Sequence, residues 1–195
     1  VADEKNQKFY TEKYGVTHPT KAGLKIPQMF DAAINKELKG LWIIGEDIVQ
    51  TDPNSAHVVD AMNSLELLVV QEIFMSETAK LATVVLPGTT FLEKDGTFTN
   101  TERRIQRVNR AVAPLPGTKP DGLIVTDMMQ KLGFDQPTYD ADQVLSEIAD
   151  VVPFFKGVTR ERLGKLGLQW PVKEDGTDTQ ILHTESFKLG KGRLK

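Results

Sequence analysis

The stretch "GLWIIGEDIVQTDPN", from Gly40 to Asn54, decides how this chain folds. It opens with an apolar run bounded by glycines and rich in β-forming residues, a pattern that is typical of a buried strand. The run stops at Gly45 and is followed at once by Glu46 and Asp47. A buried strand that ends in an acidic loop raises the question of what that loop holds.

Two more apolar runs follow, "LELLVVQ" at 65–71 and "ATVVLPG" at 82–88, and each is preceded by a helical segment. The first helix is expected to begin with Asp52 as N-cap and Pro53 at the first helical position. The alternation of strands and helices predicts a mostly parallel sheet with helices on both faces. The predicted fold class is therefore α/β, a three-layer αβα arrangement.

The remainder of the chain predicts a helical C-terminal part. Residues 91–112 suggest short β pieces that cross the surface, and the segments 121–133 and 140–152 are amphipathic helices by their apolar spacing. We divide the chain into a lead-in segment at 1–37, an αβα domain at 38–167, and an extended tail at 168–195.

Composition excludes several kinds of function. The 195 residues carry 24 Lys and Arg against 27 Asp and Glu, and a net charge of −3 gives no electrostatic reason to bind nucleic acid. No apolar run approaches the ~20 residues of a membrane helix, so we expect no membrane insertion. A cytoplasmic location is expected, with a periplasmic one left open for the full-length protein.

The chain has no cysteine, which excludes disulfides, a cysteine nucleophile and an iron–sulfur cluster ligated within this chain. His18, His57 and His183 lie far apart in sequence, and none has metal-ligand spacing. No metal ligand and no catalytic residue is predicted.

Candidate binding residues follow the carboxyl ends of all three predicted strands, where open parallel sheets bind ligands. They are Gly45, Glu46, Asp47, Thr51, Gln71, Gly88 and Thr89. A carboxylate accepts two hydrogen bonds side by side, which suits the paired donors of a guanine edge. Gly45 would allow close approach of a ligand, and the following helix N-terminus would favour a phosphate. A solvated turn with a capping pair is an equally open interpretation of the same residues.

Three blocks of sequence carry a resemblance to a known family. The blocks "LKGLWIIGEDIVQTDPN", "LELLVVQEIFMSETAKLATVVLPGTTFLEKDGTFTNTERRIQRV" and "KPDGLIVTDMMQKLG" resemble consecutive parts of the large (alpha) subunit of formate dehydrogenases. That subunit belongs to the molybdopterin oxidoreductase superfamily. The resemblance runs from about Lys25 to the C-terminus, so it covers nearly the whole chain.

The resemblance implies a cofactor and a set of partners. A complete subunit of this family binds two molybdopterin guanine dinucleotides that hold one molybdenum or tungsten, and it carries an iron–sulfur cluster elsewhere. It oxidises formate to CO2 and passes electrons to iron–sulfur or NAD-linked subunits. By the same resemblance, Asp47 and Thr51 contact the guanosine, and Gln71 lies beside it. Gly45 and Glu46 then shape the loop, while Gly88 and Thr89 approach the cofactor.

Departures from the family define what this chain is expected to do alone. It lacks the Cys or Sec that ligates the metal, and the family's barrel domain would begin where it ends. We therefore expect that the chain is a fragment without activity of its own. An excised piece of a longer protein is favoured over a naturally split subunit. Two alternatives stay open: another molybdopterin oxidoreductase, such as nitrate reductase or the complex I large subunit, and a non-enzymatic α/β nucleotide-binding or interaction module.

Overall fold

The structure is a computed structural model that describes residues 3–187 and Gly190. Residues 1–2, 188–189 and 191–195, which belong to the predicted lead-in and tail, lie outside the described residues. The helices are α1 (Glu4–Tyr14), α2 (Ile26–Ile34), α3 (Ile48–Thr51), α4 (Ser55–Ser64), α5 (Glu77–Lys80), α6 (Asp121–Lys131), α7 (Ala141–Val151) and α8 (Arg160–Leu163). The strands are β1 (Gly40–Ile44), β2 (Leu67–Glu72), β3 (Val84–Pro87), β4 (Gly96–Thr99), β5 (Arg104–Val108) and β6 (Leu168–Gln169).

The chain forms two compact units, Val1–Val85 and Leu86–Lys195, and the division falls within β3. Each unit has its own buried apolar cluster. The predicted boundaries at 37/38 and 167/168 stay a prediction.

The first unit is built on a parallel sheet with the strand order β1-β2-β3. β1 and β2 pair in parallel, with Gly40 opposite Leu67 and Ile44 opposite Gln71. Because the strands run in the same direction, the loops that follow Ile44 and Glu72 leave the sheet at the same edge. The α/β class with a parallel sheet is confirmed.

One face of this sheet is packed against helices. Leu68 and Val70 of β2 are 1% and 0% exposed and lie in a cluster with residues of α2, α4 and α5. The other members of the cluster are Phe30, Ala33, Ile43, Val58, Ala61, Met62 and Ala79. The 3.6-residue spacing of α4 and the two-residue spacing of β2 therefore bring their apolar side chains to one layer.

The opposite face of the sheet carries partly exposed apolar side chains. Ile44, Leu67 and Val84 alternate with residues of the buried face, and 48%, 45% and 42% of their surfaces are exposed. A two-residue period places neighbouring positions of one strand on opposite faces. Within the described part of the chain, the two faces of the sheet are thus buried to very different extents.

The loop after β1 differs from the sequence prediction. A one-turn helix, α3, follows β1 directly, and Asp52 ends it instead of starting the next helix. α4 is capped by Asn54, whose side-chain oxygen accepts from the His57 N–H at 3.3 Å. Asp52 Oδ1 accepts from the Asn54 N–H at 2.9 Å, and this local turn separates the two helices.

The second unit contains both helices and strands, so the prediction of a helical C-terminal part is only half correct. α6 and α7 lie within the predicted segments 121–133 and 140–152. The segment predicted to cross the surface instead forms an antiparallel hairpin, in which Gly96 pairs with Val108 and Thr99 with Ile105, and β6 extends this sheet. Ile105, 0% exposed, packs in a cluster with Leu145, Val158, Leu163 and Val172.

Arg103 ties the second sheet to the chain that follows it. Its guanidinium donates to the carbonyl oxygens of Trp170, Thr179 and Gln180 and lies 5.7 Å from the Trp170 ring centroid. The three carbonyl oxygens accept hydrogen bonds from the guanidinium, and the indole ring provides a favourable surface for its positive charge. No helix in the described residues is long and apolar enough to span a membrane.

The unequal burial of adjacent leucines in β2 gives a test of the first unit. Leu68→Ala should lower the free energy of unfolding by about 2–5 kcal/mol, because it leaves a cavity in the apolar cluster. Leu67→Ala is the matched control on the other face and should cost less than about 1 kcal/mol. Urea denaturation followed by circular dichroism measures both. Equal losses for the two variants would contradict this assignment of faces.

Candidate functional site

Gly45 turns the chain out of β1. Its φ angle is +63°, in the left-handed region that side chains other than glycine rarely adopt. Its N–H donates to the Gln71 carbonyl oxygen at 2.8 Å, so the turn begins as a continuation of the β1–β2 ladder. A Cβ at this position would meet no atom within 4 Å. The need for glycine therefore comes from the backbone angle, and lack of space is not its cause.

Asp47 follows this turn and is bound to a residue of another segment. Its Oδ1 accepts from the Thr78 hydroxyl at 2.7 Å and from the Thr78 N–H at 3.0 Å. The Thr78 hydroxyl in turn accepts from the Val49 N–H at 3.1 Å, and Thr78 is 0% exposed. A carboxylate oxygen has about two acceptor positions. Oδ1 is therefore occupied within the chain, and the contact of Asp47 with a nucleotide stays a prediction.

These hydrogen bonds hold Asp47 in its ionised form. The Thr78 hydroxyl bond is the largest cause that lowers the pKa of the Asp47 carboxyl, and it outweighs the opposing effect of burial. The backbone N–H groups of Thr78, Glu77 and Gln50 lower this pKa further. Because donors surround the carboxylate, its charge is stabilised without an adjacent cation.

Thr51 lies one helical turn after Asp47. Its N–H donates to the Asp47 carbonyl oxygen at 3.0 Å, which closes the single turn of α3. Thr51, Gly45 and Glu46 are exposed, and Glu46 makes no side-chain hydrogen bond among the described residues. The structure therefore brings Gly45, Glu46, Asp47 and Thr51 to one rim. α3 is four residues long, too short for its apolar spacing to be recognised in the sequence.

Gln71 lies next to this rim but beneath its surface. It pairs with Ile44 in the sheet and is 0% exposed. A side chain with no exposed surface contacts a ligand only after its neighbours move. Gln71 accepts from the Gly45 N–H through its carbonyl oxygen, and its predicted place beside a bound guanosine stays a prediction.

Gly88 and Thr89 follow β3 in the second unit, and both are buried. Thr89 is 2% exposed, and among the described residues its hydroxyl oxygen has no hydrogen-bond partner. Its carbonyl oxygen accepts from the Lys94 ammonium at 3.1 Å, and that ammonium also pairs with Asp121. A buried hydroxyl without a partner costs about 1–3 kcal/mol, so a ligand that satisfied it would gain correspondingly.

Glu93 supports this second loop, and the sequence reasoning missed it. The carboxylate is 7% exposed and accepts from the Thr90 N–H at 2.8 Å and from the Leu115 N–H at 2.9 Å. The Thr90 backbone bond is the largest cause that lowers the pKa of Glu93. The signal was present as a capping box, Thr90 followed three residues later by Glu93.

Among the described residues, no group of three or more His, Asp or Glu side chains could hold a metal ion. His57 instead pairs with Asp31 at 3.1 Å.

The chain matches a known protein family. The family model described as molybdopterin oxidoreductase matches residues 9–131. The F420-dependent formate dehydrogenase subunit alpha of Methanocaldococcus jannaschii is 42% identical to this chain, over 98% of the chain and 29% of the relative. A protein of Staphylococcus aureus named as a formate dehydrogenase is 44% identical, over all of the chain and 20% of the relative.

One solved structure extends the comparison to the fold. Acetylene hydratase from Pelobacter acetylenicus superposes with a TM-score of 0.60 at 20% identity, over 80% of this chain and 22% of that one. At this identity the likeness concerns the fold alone. The chain thus spans between a fifth and a third of the length of the relatives it matches.

The lowered pKa of Asp47 predicts a pH-dependent stability. Asp47→Asn should reduce the free energy of unfolding at pH 7 by about 1 kcal/mol, because the bonds from Thr78 lose their charge. The stabilisation is complete above the pKa of Asp in the unfolded chain, near pH 4, and is lost as the pH falls through the lower folded-state pKa. Urea denaturation of both proteins between about pH 2 and pH 7 measures it.

The control is Glu46→Gln, which neutralises the adjacent exposed carboxylate. It should show neither the loss at pH 7 nor the convergence with the parent protein at low pH. A difference between Asp47→Asn and the parent protein that stays constant down to about pH 2 would contradict the charge-assisted bond.

Proposed function

The chain belongs to the molybdopterin oxidoreductase family, and from this membership we propose that it is part of a formate dehydrogenase large subunit. In this proposal it binds the guanosine end of one molybdopterin guanine dinucleotide. The observation that carries the proposal is the 42% identity to a formate dehydrogenase alpha subunit along 98% of the chain. Formate oxidation belongs to the larger polypeptide of which this chain would be a piece.

The rim after β1 has the properties that such a ligand requires. Asp47 is an ionised acceptor, Thr51 adds an exposed hydroxyl, and Gly45 and Glu46 form the turn that carries them. Exposed acceptors and hydroxyls at the carboxyl end of parallel strands are suited to a nucleoside. Gln71 would support this rim from beneath.

The loop after β3 is considered by itself, since it belongs to the second unit. The Thr89 hydroxyl is buried and lacks a hydrogen-bond partner among the described residues, so it has hydrogen-bonding capacity left for a ligand. Gly88 precedes it without a side chain. In the bound state, the cofactor's molybdenum or tungsten would supply the redox chemistry. The residues of this chain bind and orient the nucleotide end, and none of them transfers a proton or ligates the metal.

Other parts of the proposal concern the whole protein. The metal-ligating Cys or Sec and the iron–sulfur cluster would come from other domains of the large subunit, since this chain has no cysteine. Electron-transfer subunits, iron–sulfur or NAD-linked, would accept the electrons from formate. We place the assembly in the cytoplasm.

The nucleotide site is tested by titrating GMP into the chain by isothermal titration calorimetry. Binding should be weak, with Kd in the range of about 0.1–1 mM, because one domain supplies only part of the cofactor's surroundings. Asp47→Ala should weaken it by about tenfold, the effect of one charge-assisted hydrogen bond.

Asp60→Ala is the matched control, since it removes an exposed carboxylate from α4 with the same change in net charge. It should bind GMP as the parent protein does. Equal affinities of the parent protein and Asp47→Ala, or equal losses in both variants, would contradict the proposed site.

The chain alone should not oxidise formate. With formate and a viologen dye, the isolated chain should give no dye reduction above the protein-free rate, because it supplies no thiolate or selenolate for the metal. Dye reduction that depends on this chain and on formate would contradict the assigned role.

A further inference from the structure

β1 is an edge strand of the parallel sheet, although its sequence is that of an interior strand. The strand order is β1-β2-β3, so among the described residues β1 has one neighbouring strand. Its five residues, "GLWII", include no charged residue and no proline. They pair with β2 residue by residue, without a bulge. Charges, prolines and bulges are features by which edge strands avoid further pairing, so this edge is unprotected.

The opposite edge of the same sheet has such protection. β3 is four residues long and ends in Pro87, which has no backbone N–H to donate. A continuous apolar run such as that of β1 is instead typical of strands in a parallel sheet whose two faces are covered. The two edge strands therefore differ, because β3 has features that end a sheet and β1 has none of them.

The hydrogen bonds between β1 and β2 identify the backbone groups at the unprotected edge. The Gly45 N–H donates to the Gln71 carbonyl oxygen at 2.8 Å, so the backbone of Gly45 points towards β2. Backbone groups of successive residues in a strand point to alternate sides. The groups that point away from β2 are therefore those of Gly40, Trp42 and Ile44, which we call the free edge of β1. No strand of the described residues pairs with the free edge.

A buried donor on the same strand also lacks a partner. The indole nitrogen Nε1 of Trp42 is buried, and among the described residues it has no hydrogen-bond acceptor. Trp42 alternates with Leu41 and Ile43, which pack in the apolar cluster, so it lies with Ile44 on the half-exposed face. A buried donor without an acceptor destabilises a fold, so an acceptor brought by an additional segment would be favourable.

The free edge is suited to a parallel strand from a different segment of polypeptide. Two copies of β1 related by a two-fold axis would pair antiparallel, because such a contact joins the same edge of both copies. β1 already belongs to a parallel pair, and sheets that are purely parallel are over-represented. The chain spans 29% and 20% of the two formate dehydrogenase relatives, so a longer polypeptide of that size has residues to supply the strand.

We propose that β1 is an interior strand in the longer protein, and that another segment of the same polypeptide adds a parallel, apolar strand to its free edge. Main-chain hydrogen bonds to Gly40, Trp42 and Ile44 hold the added strand. The inference rests on the proposed function, because that function supplies the longer polypeptide. Its consequence is that β1 is fixed from both sides, and with it the turn at Gly45 from which the candidate rim begins.

Amide hydrogen exchange distinguishes the two sides of β1. In the isolated chain, the amides of Leu41, Ile43 and Gly45 face β2 and should exchange slowly, whereas those of Trp42 and Ile44 should exchange at least about tenfold faster. In the longer polypeptide, the Trp42 and Ile44 amides should slow by at least about tenfold. Mass spectrometry with electron-transfer fragmentation measures both proteins at single-residue resolution.

Ile44→Lys tests the edge directly, because it places a charge beside the incoming strand. The isolated variant should fold, since 48% of the Ile44 surface is exposed, and circular dichroism checks this. In the longer polypeptide the variant should abolish the added protection of the Trp42 amide. Leu166→Lys is the matched control at a leucine that is 80% exposed in the second unit, and it should leave that protection unchanged. If Ile44→Lys does not fold, exchange in the two parent proteins decides the question.

The outcomes separate this inference from the proposed function. Equal exchange of the Trp42 and Ile44 amides in the isolated chain and in the longer polypeptide would overturn the added strand, even where the longer polypeptide reduces a viologen dye with formate. Protection of both amides in a longer polypeptide that does not oxidise formate would support the added strand and contradict the proposed function. Protection that is already present in the isolated chain and rises with its concentration would assign the free edge to a second copy and overturn the proposal.

Discussion

The bond between the Asp47 carboxylate and the Thr78 hydroxyl is the contact on which the candidate site depends. It joins two loops that lie 31 residues apart and leave the same edge of a parallel sheet. The sheet brings the loops together, since β1 and β2 are in register up to Ile44 and Gln71. The bond then fixes the side chain that the ligand would meet. A carboxylate held by donors within its own unit is ionised and oriented before any ligand arrives, which reduces the ordering cost of binding.

The same bond explains why an acidic loop follows an apolar strand. β1 is apolar because alternate residues pack on α2 and α4, and the loop beyond it is polar because it leaves the sheet. Gly45 makes this change of direction possible through its left-handed φ. Thr78 then supplies the neutral donors that let an acid sit at the end of a buried strand without an ion pair. The buried strand requires apolar residues, whereas the loop directly after it carries an acid. Thr78 stabilises that acid where the strand ends.

The second unit shows a related use of buried polar groups. The Glu93 carboxylate accepts hydrogen bonds from two backbone N–H groups, so it stabilises the conformation of its own loop. Thr89, four residues earlier, is equally buried, but its hydroxyl has no partner in the described chain. The difference separates a residue that completes the fold from one that has capacity left for a ligand. Arg103 belongs to the first kind, because three carbonyl oxygens and an indole ring account for its guanidinium.

The sequence by itself determined the parallel α/β class, the position of the three strands, and the rim on which Gly45, Glu46, Asp47 and Thr51 lie. These follow from local patterns: a continuous apolar run means a buried strand, and parallel strands place their loops at a common edge. Its blocks also carried the resemblance to the family that the comparisons then showed.

Only the tertiary structure decided the start of α4, the antiparallel hairpin of β4 and β5, and the pairing of Asp47 with Thr78. The physical reason is that each depends on a partner distant in sequence or on competition between adjacent caps. Asn54 outcompetes Asp52 as N-cap because Asp52 is bound in a turn, and Ile105 becomes a core residue only when Leu145 and Val172 pack on it. Thr78 reaches Asp47 only after the sheet has formed, so no local pattern could reveal which hydrogen bonds its carboxylate would already have made.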